Sequence, residues 1–479
     1  MDLLYCFLYR YKIAVCLLIG WSLFFSEISL AHGQEKTARP NIVFIIVDDL
    51  GWGDLGSYGN TFNETPNLDR LAASGVRFTD AYAAAPVCSP TRASIMTGLY
   101  PAKVRITDFL PEGWKTERFL DPASYTTLNE VLALQGYHTG IVGKWHLDTR
   151  FRRHTGSPKA HGFHEVIGSE TKYIAGGDYF YPYDKINTYT AGEEGEYLTD
   201  RQSQDACDFI RRNKEKPFFL YLSYYSVHTR SDAPKRAVDK YKRKFDQKYG
   251  DGLADKYFEA RDNHEHPHID NPYLAAMLEH IDHGVGDVMK TLQELELDKN
   301  TLVVFISDNG GAVNVSNNGA LRGHKTWLYE GGIRVPLLMS WPGVIPTETT
   351  VGDPVSTIDF YPTLAAASGA GVDITVDGVN LMPLFNKGYR MPRRPLYWHY
   401  PAETAKWTKK MATAVRIGPY KLIRFYEGDR YELYDLEKDI SETENLVERE
   451  IAIFNELKRL MEQWKAVVNA EEPDLTSGK

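Results

Sequence analysis

A cysteine, three aspartates, an asparagine and a spread of lysines and histidines carry the chemical capacity of this 479-residue sequence. In residues 85–98, Ser89 can cap a short helix, Pro90 can take its first position and Gly98 can close it. Cys88 then lies at the helix's positive end, where unpaired amides favour a thiolate or any developing anion, with Arg92 one turn on along the same face. A reactive group is thereby set against a fixed cation. Taken alone, a lone cysteine in that setting is more simply a buried apolar residue.

The carboxylates follow apolar runs. Residues 41–47 form a continuous β-branched run, the signature of a central parallel strand, and end in Asp48 and Asp49. Residues 301–307 do the same before Asp308 and Asn309. Open α/β sheets place ligands at such carboxyl ends. Adjacent carboxylates repel unless a cation lies between them, and a set offering only oxygens suits a hard ion such as calcium. A solvated turn with helix-capping aspartates is an equal reading of the first pair alone. On a strand, Lys144 and His146 point to one face and pair a cation with a titratable base. His228 follows the apolar strand 217–224, a position where a histidine is more often structural. His264, Glu265, His266 and His268 have a spacing that could hold a metal, but their polar, proline-containing context suits a solvated loop.

Several motifs together resemble the formylglycine-dependent sulfatases. Cys88-Ser89-Pro90-Thr91-Arg92 matches their C-x-P-x-R core and continues to Thr97-Gly98, and residues 136–146 fill every fixed position of G-Y-x-T-x-x-x-G-K-x-H. The stretches 321–327 and 329–336 complete the family's order. The resemblance implies that Cys88 is oxidised to formylglycine (3-oxoalanine) by a formylglycine-generating maturation enzyme. It also implies a calcium ion held by Asp48, Asp49, Asp308, Asn309 and an oxygen of the modified Cys88. Lys144 and Lys325 would hold the sulfuryl oxygens, and Arg92 the hydrated aldehyde that attacks sulfur. His228 would protonate the leaving alcohol, and His146 would deprotonate the second hydroxyl of the sulfated intermediate to expel sulfate. Members commonly have proline two residues after the third histidine, whereas this chain has Arg230, a candidate contact for an anionic substrate. His324 and Trp327 are candidate sugar contacts or, equally, surface residues.

The implied fold is an alkaline-phosphatase-like α/β sandwich with a large mixed, mostly parallel sheet. Beyond it, residues 413–417, 420–424 and 431–436 alternate as half-buried antiparallel strands, and a helix from Glu448 places Ile451, Phe454, Leu457, Met461 and Trp464 on one face. These predict a small C-terminal α+β subdomain over 376–479, after a catalytic domain over 38–375. Residues 1–31 have the basic start, apolar run and small-residue site of a secretory signal, with a run shorter than a membrane span needs. The expected location is therefore exported, periplasmic or secreted, with no membrane span once the signal is cleaved. The mature chain keeps only Cys88 and Cys207, so no disulfide framework is expected. A formal net charge of −9 argues against nucleic acid as a partner. The expected substrate is a sulfated carbohydrate, of the algal ulvan or carrageenan type or a glycosaminoglycan. A phosphate or phosphonate monoester hydrolase of the same superfamily and a non-catalytic binder of sulfated glycans are the alternatives.

Overall fold

The computed structural model describes residues 39–473 and 475, except 111–117, 150–154, 170–178, 184–185, 187, 259–267, 372–374, 402–409 and 474. The proposed signal segment 1–31 and His264, Glu265 and His266 lie outside the described residues. His268 is described and packs on Tyr249, with ring centroids 4.0 Å apart.

In chain order the strands are β1 (Asn41–Val47), β2 (Val76–Phe78), β3 (Ala81–Tyr82), β4 (His138–Gly143), β5 (Glu165–Ile167), β6 (Phe218–Ser223), β7 (Thr301–Ser307), β8 (Leu337–Ser340), β9 (Thr349–Val351), β10 (Val355–Ser356), β11 (Leu396–Tyr400), β12 (Ala412–Ile417), β13 (Tyr420–Phe425) and β14 (Arg430–Asp435). The main sheet has the order β5-β4-β6-β1-β7-β8-β2-β9. It is parallel except where β8 pairs with β7 and β2. Its central strands are apolar on both faces because both are covered. Val43, Ile45 and Val47 of β1 join a core with helices α2 (Leu198–Asn213), α3 (Lys235–Tyr249) and α4 (Pro272–Glu294). The alternate residues Ile42, Phe44 and Ile46 join a second core with α1 (Cys88–Thr97). Helices thus pack on both faces of a mostly parallel sheet, as the sequence predicts.

The local readings need adjustment at several points. The stretch 76–82 does not form one strand but two short ones, β2 and β3. Helix α1 starts at Cys88, not Pro90, and its N-cap is Val87 rather than Ser89. Ser89 instead accepts a hydrogen bond from the Leu110 amide at 3.0 Å. Gly98 closes the helix as expected, in the left-handed conformation at φ 68°. The charged stretch after residue 231 contains α3 and a short helix, Leu253–Phe258.

The antiparallel sheet β11-β12-β13-β14 carries helix α5 (Ile451–Val467). Leu457 and Met461 pack against Val415, Leu422 and Leu433, whereas Ile451, expected on the buried face, is 60 % exposed at the helix start. This sheet is bound to the chain that carries Lys325. Lys421 on β13 is fully buried between Glu330 at 2.8 Å and Glu442 at 2.9 Å. Removing one partner from such a buried group leaves an uncompensated charge, so it fixes the segment around residue 330 firmly. No helix among the described residues is long and apolar enough to cross a membrane.

Candidate active site

Four neighbouring parallel strands, β4-β6-β1-β7, end on one side of the sheet, and each passes directly into residues of the site. Because Val47 is in register with Ser307, Asp48 and Asp308 emerge side by side. Gly143 is in register with Ser223, so Lys144 leaves beside the loop to His228. Gly143 has φ 98°, and a Cβ there would lie 1.9 Å from the Ser223 carbonyl oxygen. Only glycine permits that exit. Asp49 and His146 also hold left-handed backbone, at φ 64° and 57°. Such conformations are uncommon for residues with side chains and gather at functional sites.

Lys144 and His146 are not on a strand, since β4 ends at Gly143. They reach the site separately. The Lys144 ammonium lies 2.5 Å from Asp48 Oδ2, while His146 Nδ1 lies 3.2 Å from Cys88 Sγ. His146 Nε2 faces the Leu110 carbonyl at 3.0 Å. A carbonyl only accepts, so Nε2 carries the proton and the Nδ1 lone pair is turned to residue 88. Burial, with the Lys144 charge, pushes His146 well below its ordinary pKa and keeps it neutral. Burial likewise raises the Cys88 thiol.

Lys325 binds Asp49 at 2.7 Å and lies 3.1 Å from His228 Nε2. His228 Nδ1 donates to the Thr229 carbonyl, which leaves Nε2 as the acceptor. Burial and then Lys325 push His228 down to about 4. Arg92 is wholly buried. Its Nε and Nη2 donate to Asp308 Oδ2 at 3.0 and 2.8 Å, and Nη1 donates to the Lys144 carbonyl at 3.0 Å and to Ser223 Oγ at 2.6 Å. It therefore ties the ends of β4, β6 and β7 together and influences residue 88 through its charge.

Oxygens of Asp48, Asp49 and Asp308 lie within 4.8 Å of one another. Asp49 also accepts from Asn309 Nδ2 at 2.8 Å. Burial and then the Asp48 charge push Asp308 up to about 7. Burial acts the same way on Asp48, but Lys144, His228 and Arg92 outweigh it and hold Asp48 well below the usual carboxylate range. Asp48 Oδ1 and Asn309 Oδ1 are buried without a hydrogen-bond partner among the described residues. Orphaned buried oxygens are costly, and a crowded oxygen-only set is what a hard cation relieves. The donor set fits such an ion.

The chain belongs to the sulfatase family. The family's sequence profile matches residues 40–370, and that of the N-sulphoglucosamine sulphohydrolase C-terminal region matches 323–467. Bovine arylsulfatase A is 33% identical over 443 residues, covering 85% of this chain and 78% of that protein. The dog N-acetylgalactosamine-6-sulfatase is 32% identical, covering 84% and 75%. Among solved structures, Ps i-CgsB in complex with k-i-k-neocarrahexaose superposes with a TM-score of 0.75 at 31% identity, covering 91% of this chain and 94% of that one. The protein is a sulfuric ester hydrolase.

All the predicted residues of this sulfatase, Asp48, Asp49, Cys88, Arg92, Lys144, His146, His228, Asp308, Asn309 and Lys325, meet in one site. Nothing in their spacing marked Ser223, which holds Arg92, or Leu110, which orients His146. Lys410 has no local signal in the sequence either. Its ammonium donates to Thr326 Oγ1 at 2.7 Å and stands 4.8 Å from the centre of the Trp327 ring, on the partly open loop that carries Lys325. His324 joins the same rim, with Nδ1 donating to the Lys325 carbonyl at 2.9 Å. Arg230 is exposed.

Proposed function

We propose that this sulfatase is exported and releases sulfate from sulfated carbohydrates, using residue 88 matured to formylglycine and a calcium ion. The observation that carries this reading is the convergence of two lysines and two neutral histidines around Cys88 and an acidic, oxygen-only cluster with orphaned oxygens. The carbohydrate class is supported by the relatives named N-acetylgalactosamine-6-sulfatase and by the neighbour in complex with k-i-k-neocarrahexaose. In this reading residues 38–375 form the catalytic unit, and 376–479 a subdomain that backs the Lys325 segment.

Maturation by a formylglycine-generating enzyme supplies at residue 88 a hydrated aldehyde whose hydroxyl is the nucleophile for sulfur. Asp48, Asp49, Asp308 and Asn309 would hold calcium, which when bound supplies a fixed positive charge for the sulfuryl oxygens. Lys144, beside Asp48, and Lys325, beside Asp49, bring two positive charges to the same site and stabilise charge that grows on those oxygens. The unprotonated Nδ1 of His146 faces residue 88 and, after sulfur has been transferred, takes the proton from the second hydroxyl of the sulfated hydrate, so that the C–O bond to sulfate breaks, sulfate leaves and the aldehyde re-forms. His228, on the Lys325 side, is neutral in the free protein, takes up a proton at Nε2 when the charge of the bound ester raises its pKa, and delivers that proton to the departing sugar oxygen. Arg92 keeps Asp308 and the Lys144 backbone in place. The rim formed by His324, Trp327 and Lys410 contacts the sugar, with an ammonium and an aromatic face suited to an anionic saccharide.

The test is sulfate release from desalted oligosaccharides of ulvan, carrageenan and glycosaminoglycan classes, each beside an isosteric phosphate ester. Turnover of one sulfated class is expected. Release of phosphate alone, or binding of all sulfated sugars without turnover, would refute the reading.

Metal binding can be measured without turnover. Calcium added to demetallated protein should raise the melting temperature, because a ligand at a hundredfold its Kd stabilises by about 2.7 kcal/mol. Asp48→Asn combined with Asp308→Asn should remove that shift. An unchanged calcium shift in the double variant would mean that the ion sits elsewhere.

A further inference from the structure

The formal charge of the whole chain is −9, yet α3 carries seven lysines and arginines against two aspartates. Its apolar face, Ala237, Val238, Tyr241 and Phe245, is buried. Most of its cations are paired: Lys235 with Asp239, Lys240 with Glu64 and Glu279, Lys242 with Asp255, Lys244 with Glu64, and Lys248 with Asp270. Arg236 and Arg243 are exposed, and among the described residues neither pairs with a carboxylate. They lie two helical turns apart, about 10 Å along the axis, with Lys240 between them on one face.

These three residues line one groove of 510 Å³, whose far wall is Glu279, His280 and His283 of α4. Glu279 is neutralised by Lys240, and His280 Nδ1 lies 2.6 Å from Asp200. The groove therefore presents two guanidinium groups without a carboxylate partner among the described residues, on a helix that sets the backbone spacing between them, with His283 in the same lining. Guanidinium forks bind oxyanions through paired hydrogen bonds, and a row of them suits a linear ligand with repeated anionic groups.

We propose that this groove is a second binding site for a sulfated glycan chain, separate from the reacting centre. The proposal rests on the reading that the substrate is a sulfated carbohydrate. Helix α3 begins at Lys235, seven residues after His228, which spans at most about 25 Å even when extended. One glycan chain held in the groove can thus reach the catalytic centre. In a protein of net negative charge, such a site offsets the general repulsion of a polyanion.

The test uses the full chain carrying Cys88→Ala, so that ligand is not consumed, with heparin and iota-carrageenan as probes beside their desulfated forms. Arg236→Glu with Arg243→Glu should weaken binding of the matching sulfated polymer by about tenfold or more and reduce its salt dependence. Two controls accompany it. Lys387→Glu with Arg390→Glu makes the same charge change at another exposed place and should bind like the parent. Arg236→Lys with Arg243→Lys keeps the charge but loses the paired hydrogen bonds, so it should keep the salt dependence while binding more weakly than the parent and more tightly than the glutamate variant. With Cys88 intact, the groove variant should raise KM for the polymer while leaving kcat/KM for an aryl sulfate unchanged. No loss of polymer binding, an equal loss in the Lys387 and Arg390 control, or an equal loss on the aryl sulfate would each overturn the proposal. Groove-dependent binding without release of sulfate from any sugar would instead sink the substrate reading and leave the groove standing.

Discussion

Replacing Cys88 with alanine is expected to leave a folded protein and to remove turnover, by about 10⁴- to 10⁶-fold, as deletion of a catalytic nucleophile does. The fold should tolerate the change. Cys88 is the first residue of α1 and is small, and the helix keeps its Gly98 closure and the bonds of Thr91 to the carbonyls of Ala85 and Val87. The chemistry should not. His146 Nδ1, Lys144 and Lys325 are all disposed around this one side chain. An untouched thiol is poorly suited to the role, since burial raises its pKa and keeps it protonated near neutrality. Peptide mass spectrometry of active enzyme should therefore find formylglycine at residue 88, in proportion to specific activity across preparations. Full activity in protein whose residue 88 is entirely unmodified cysteine would exclude the proposed chemistry.

The residues that were legible in the sequence share a physical reason. Strands β1 and β7 are buried on both faces, so each reads as an unbroken apolar run, and the polar residues that end the run must lie at the sheet's edge. Asp48, Asp49, Asp308 and Asn309 were therefore placed correctly relative to one another. Their convergence needs only the adjacent parallel pairing of β1 and β7. Lys144 and His146 were harder. A two-residue spacing suggests one face of a strand, but Gly143 turns the chain out of β4 and sends the two side chains to Asp48 and Cys88 by different routes. Helix α3 was hidden because its four buried residues are diluted by seven basic ones, and its period is visible only once the core side is known. Ser223, Leu110 and Lys410 had no local signal at all. Their partners Arg92, His146 and Thr326 are brought to them by tertiary structure.

The two histidines should separate by leaving group. A general acid matters only when the leaving oxygen needs a proton, so His228→Ala should cost about 10²- to 10⁴-fold on a sugar sulfate and little on an activated aryl sulfate. His146→Ala should be impaired on both esters, because its Nδ1 serves residue 88 and not the leaving group. The pH dependence carries the same distinction. In the free protein, burial and Lys325 hold His228 at about 4, so it is neutral near pH 7. A bound sulfate ester brings negative charge next to His228 and Lys325, and a nearby opposite charge favours the protonated imidazole. The pKa of His228 should therefore rise in the complex. Since the acid form is the active one, kcat on a sugar sulfate should fall as pH rises through that shifted value, and the same limb should be absent with an aryl sulfate. Losing His228 should remove the limb along with the rate. Equal losses on both esters, with the limb retained, would take His228 out of the acid role and leave Lys325, 3.1 Å from its Nε2, as the proton source to test next.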